Sequence, residues 1–97
     1  LTTEVQLKHF IHNLRNSGVM LNSYLRPGAG ADAIREAHVW ISEYNAMLTC
    51  DAMMEHSAAK GLSVPSLEIP PEESDPAVLS AAIKGAMDQL TRLVVSF

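Results

Sequence analysis

Four histidines, eleven carboxylates and one cysteine are the side chains here that could carry chemistry, and their spacing limits what they can do together. His9 and His12 stand three apart, which sets both imidazoles on one side of a helix, a spacing that metal sites use. Two ligands do not complete a site. No Glu-x-x-His occurs, so the inward carboxylate–histidine pattern of di-iron bundles is missing. The pair reads as two solvated histidines flanking a core helix. Asp51 and Glu55 lie one helical turn apart, on the side of their helix that carries Tyr44 and Leu48. Two carboxylates held together in a partly apolar setting can share a proton or bind a cation. The plainer expectation is that the helix leaves the core near residue 50, so both meet water or a lysine such as Lys60 or Lys84.

Cys50 is the sole cysteine, which excludes an internal disulfide and any multi-cysteine zinc or iron–sulfur site. On a continuous helix Cys50 and His56 differ by about 120° in azimuth and about 9 Å in height, too far for the imidazole to take the thiol proton. Among Val39, Ala46 and Met53 the thiol reads as a small buried hydrophobe. The turn from Pro27 to Ala31 precedes a helix N-terminus, where backbone N–H groups could cradle an anion. It lacks Gly-Lys-Ser/Thr and a preceding strand, and Asp32 puts negative charge where a phosphate would sit, so it reads as a plain helix–helix connection. These motifs assign no catalytic residue, no metal and no cofactor.

The elements that must position these groups are helices. Proline and two glycines between Arg26 and Asp32 stop one helix, and Asp32 is a candidate cap for the next. A second interruption, from Gly61 to Asp75, holds Pro65, Pro70 and Pro71 together with Glu68, Glu72, Glu73 and Asp75. Ser74-Asp75-Pro76 then offers an N-cap followed by proline at the first helical position, where its missing N–H costs nothing. Thr3 and Gln6 form a candidate capping box for the first helix. Within the first segment Leu7, Phe10, Ile11, Leu14, Leu21 and Leu25 share one face, and Gly18 falls inside it, where a missing side chain lets another helix approach. The last segment carries an equally clear stripe from Leu79 to Phe97, which should leave Phe97 packed.

The middle segment is apolar on two sides. Ile34, Ala37, Trp40, Ile41, Tyr44, Met47, Leu48 and Ala52 form its main face, while Val39, Ala46, Cys50 and Met53 lie nearly opposite. As one helix from 33 to 60 it would be roughly 42 Å long, against a radius of gyration near 13 Å for a compact chain of this size. A helix so long and apolar on both faces belongs in the middle of a bundle or at a subunit interface.

Composition bounds the rest. The chain has 97 residues, 47% of them hydrophobic, enough to build one packed core and too few to suggest two. Its net charge of −4 argues against general binding to phosphate backbones or anionic lipid, so neither nucleic acid nor membrane is expected as a partner. No stretch approaches a membrane span, and the first residues lack a secretion signal's basic-then-apolar layout, so a cytoplasmic location is expected. The reading is an all-α domain over 1–97: a three-helix bundle (about 3–25, 33–60 and 76–97) with a long central helix and a proline-rich acidic connection before the third helix. Its expected role is protein–protein interaction, as an adaptor or inhibitor that binds a partner or itself. The outer stripe of Val39, Ala46, Cys50, Met53 and Met54, with Val19 and Met20 from the first helix, is the expected contact surface. The bland alternative packs these residues under the connection, against Val64, Leu67 and Ile69. The rival chemical reading is a small helical metal-binding or enzymatic protein using Asp51, Glu55 and a histidine brought in by folding; a structural subunit of a larger assembly is a third.

Overall fold

The apolar stripes become four helices in the computed structural model, which describes residues 3–97. In chain order these are α1 (Thr3–Asn22), α2 (Ala31–Thr49), α3 (Asp51–Lys60) and α4 (Pro76–Val95), with no strand among the described residues. None of these helices is long and apolar enough to cross a membrane. Thr3 is itself the first residue of α1, so it does not occupy the cap position of the expected capping box. Asp32 also moves from cap to helix: Gly30 takes the N-cap of α2, and Asp32 sits in the first turn, where it pairs with Arg35 at 3.1 Å. The α4 start follows its sequence signal. Asp75 is the N-cap and its carboxylate accepts from the Ala77 N–H at 2.9 Å, with Pro76 directly behind it.

The expected central helix from 33 to 60 is two helices, because Cys50 adopts an extended conformation with φ −69° and ψ 152°. Thr49, Cys50 and Asp51 are three successive residues of modest helix propensity. Thr49 Oγ1 turns back to the carbonyls of Asn45 and Ala46 (3.2 and 3.1 Å), and Asp51 places its charge in the first turn of α3, where the helix dipole favours it. Cys50 serves both ends at once. Its N–H donates to Met47, and its carbonyl accepts from Met54. At the far end Gly61, at φ +66°, closes α3, with the Leu62 N–H returning to the Ser57 carbonyl at 2.9 Å.

Helix α1 runs antiparallel to α4. Arg15 Nε donates to Thr91 Oγ1 at 2.9 Å, and one end further on Ser80 Oγ lies 2.7 Å from Asn22 Oδ1. Helix α2 packs across both α1 and α4, and α3 folds back over the N-terminal end of α1. One core cluster draws on all four helices, with Ile11, Leu79, Ile83 and Leu90 wholly buried at its centre. Gly18 does admit a neighbour: a Cβ there would lie 3.0 Å from Trp40 Cζ2 and 3.1 Å from Met87 Sδ. The indole uses that space to send its Nε1–H to the Leu14 carbonyl at 2.9 Å, which locks α2 onto α1.

Candidate functional site

Helix α2 has two flanks beside its buried face, and the chain treats them differently. Along one flank lies the connection from Leu62 to Asp75. Asn45 holds its backbone at both polar groups of one residue: Nδ2 donates to the Leu67 carbonyl at 2.9 Å, and the Leu67 N–H donates to Oδ1 at 2.8 Å. Two turns earlier His38 Nε2 reaches the Glu73 carbonyl at 2.7 Å; a carbonyl only accepts, so the proton is on Nε2. Val64, Leu67 and Ile69 pack on the core beneath this strap. The connection is therefore docked; of its carboxylates Glu68 and Glu72 are exposed, while Glu73 accepts from the Asp75 N–H and Asp75 caps α4.

The other flank of α2 faces α1 and is open. Between Phe10 on α1 and Ala46 and Cys50 on α2 lies an apolar hollow of about 570 Å³. A second hollow of about 330 Å³ continues it past Met20, Tyr24 and Val39, with Trp40 as its floor. Glu43 borders both, and the two hollows follow one another along this flank of α2 as a groove with that side chain between them. Phe10 is 45% exposed, Met20 66%, Tyr24 63% and Val39 46%, although each is large and apolar or aromatic. Glu36 and Glu43 stand two turns apart on the α2 rim, about 10.5 Å along the axis. Both are exposed, and neither has an ion-pair partner among the described residues.

Four of the seven residues expected to bind a partner line this groove: Met20, Val39, Ala46 and Cys50. The other three do not. Met53 is 1% exposed and belongs to the core, because the break at Cys50 resets the helical register and turns Met53 inward. Val19 and Met54 are exposed but lie off the groove. Phe10, read as a core residue, lines the groove instead. Tyr24, Glu36 and Glu43 were not singled out in the sequence at all; the heptad spacing of Glu36, Glu43 and Cys50 on one side of α2 was the available signal. The connection does bury apolar residues, but on the opposite flank from Val39.

The groups with chemistry are dispersed. Asp51 and Glu55 are both exposed, as are His9 and His12. His56 turns to the C-terminal end, where its ring stacks on Phe97 at 3.9 Å and its Nε2 lies 2.7 Å from Ser96 Oγ. The Ser96 hydroxyl spends its proton on the Leu93 carbonyl at 2.6 Å, so His56 Nε2 is the donor in that pair. Phe97 is thus packed, as its stripe implied. Near it, Glu4, Glu55, His56 and Lys60 surround an open hollow of about 400 Å³. Among the described residues no three His, Cys, Asp or Glu side chains converge as metal ligands. Cys50 is a free, half-buried thiol at the end of the groove.

One group is clearly shifted in its ionisation. Tyr44 stacks on Trp40 at 5.6 Å in the core, and burial pushes its phenol above the usual value of 10.0, with the Arg92 charge opposing that shift. It is a core side chain below the groove floor. No protein-family model, curated protein or solved structure matches the chain.

Proposed function

We propose that this protein is a non-enzymatic interaction module that binds another protein chain in the groove between α1 and α2, acting in the cytoplasm, where its free thiol stays reduced. The observation that carries this reading is the open flank of α2. The chain covers one side of that helix with its own connection and leaves the other lined by Phe10, Met20, Tyr24 and Val39 in water. A contiguous apolar surface rimmed by charge is the usual form of a protein-binding groove. Methionine and aromatic side chains suit it, since they give contact area and adapt to a partner's shape.

A second copy of the chain is a poor occupant. Two identical grooves pressed together would enclose four carboxylates, Glu36 and Glu43 from each copy, and no groove-lining residue among those described supplies a cation. The proposed role is therefore partner binding rather than self-association.

The single thiol reports occupancy. Alkylation of Cys50 by a small maleimide should slow when amphipathic helical peptides of any charge are added in excess, and Val39→Glu should abolish that protection while leaving the helical circular dichroism intact. An alkylation rate indifferent to every peptide would contradict the reading.

A further inference from the structure

Resting on the groove reading above, we infer that the occupant is a basic amphipathic helix, with apolar residues at heptad spacing and Lys or Arg along the edge that meets Glu36 and Glu43. Three features of the groove lead there.

The first is shape. The groove lies between two antiparallel helices and runs from Phe10 to Met20 along α1, about 15 Å or nearly three helical turns, with Tyr24 in the turn just past the end of that helix. Along α2 its wall is Val39, Glu43, Ala46 and Cys50, spaced i, i+4, i+7, i+11, the repeat with which one helix receives the side chains of another. Ala46 is the shallow point of that wall, where an incoming helix can come closest.

The second is what the groove lacks. An extended chain needs partners for its backbone N–H and C=O groups, and the opposite flank of α2 shows how this fold supplies them: the Asn45 amide takes both polar groups of Leu67. No asparagine or glutamine lines the groove, and no sheet edge borders it among the described residues. A helix satisfies its own backbone, so it is the form of chain that loses least by entering.

The third is charge. Glu36 and Glu43 are free of ion pairs among the described residues and stand a heptad apart on one rim, with no cation among the groove-lining residues. A partner helix carrying Lys or Arg at two positions a heptad apart meets both at once, the way flanking charges select partners in coiled coils. A partner carrying acid there meets repulsion instead.

The test uses the whole chain and two synthetic helical peptides of about 18 residues, identical in their leucine repeat and differing only in lysine or glutamate at the flanking positions. Their affinities are read by protection of Cys50 from alkylation at low salt. The lysine peptide should bind about tenfold more tightly than the glutamate peptide, a gap that salt narrows. Glu36→Gln with Glu43→Gln should weaken only the lysine peptide, by about three- to tenfold. Equal affinities for the two peptides would overturn the basic partner and leave the groove reading standing. Protection by neither peptide would overturn both. A dimer in sedimentation that Val39→Glu disperses would replace the basic helix with a second copy.

Discussion

The two flanks of α2 carry the same kind of residue and meet opposite fates. On one, Asn45 and His38 hold the 62–75 connection, whose Val64, Leu67 and Ile69 pack against the core. On the other, Val39 stands in water across a groove from Met20 and Tyr24. The apolar residues do not account for the difference. What differs is the polar side chain beside them: an amide and an imidazole that hold backbone carbonyls on the covered flank, two carboxylates with no ion pair among the described residues on the open one. An amide between apolar residues gives an extended segment a place to settle, because it satisfies the backbone that burial would otherwise leave unpaired. A carboxylate offers an acceptor only, and attracts a cation instead. The chain thus closes one side for itself and holds the other for something positively charged.

This contrast can be broken in order of effect. Trp40 underlies the groove while its indole N–H ties α2 to Leu14 on α1, so Trp40→Ala removes the floor along with the tie between the two helices. It should cost about 3–5 kcal/mol in urea unfolding, the most of any change discussed. Asn45→Ala strips both hydrogen bonds from Leu67 and should cost about 1–3 kcal/mol, with faster amide exchange at Leu67. Val39→Ala, at the equivalent place on the open flank, should stay within about 0.5 kcal/mol of the parent. If the two substitutions cost the same, the flanks are not the different surfaces described. The smallest effect is on the pH dependence. Burial raises the Tyr44 phenol in the folded chain above its unfolded value of 10.0, so the unfolded state loses its proton first. The stabilisation is complete below pH 10 and fades as pH climbs from there through the folded pKa; Tyr44→Phe should flatten that part of the stability curve.

Much of the fold was legible in the sequence. Helical periodicity located the core faces of α1, α2 and α4, the Asp75-Pro76 pair marked where α4 starts, and Gly18 marked the place where Trp40 fits. Periodicity could not find the break at Cys50, because the stripe of small and apolar residues continues through it; the weaker signal was the run Thr49-Cys50-Asp51. That miss carried Met53 to the wrong side. The site was half legible. An apolar residue at the edge of a stripe is core or groove according to what lies next to it, so Phe10 was indistinguishable from Leu7 until α2 was in place. The Asn45 clamp joins residues 22 apart and leaves no local pattern, which is why the connection's docking flank could not be read. Without it, the open flank could not be told from the covered one.

The most direct test is an amide chemical-shift map of the whole chain titrated with the lysine-flanked helical peptide. Shifts should concentrate at Phe10, Met20, Val39 and Ala46, with His38, Asn45 and Leu67 unmoved, if the groove is where the peptide binds. Shifts centred on 62–75 and the Asn45 flank, or none at saturating peptide, would contradict it.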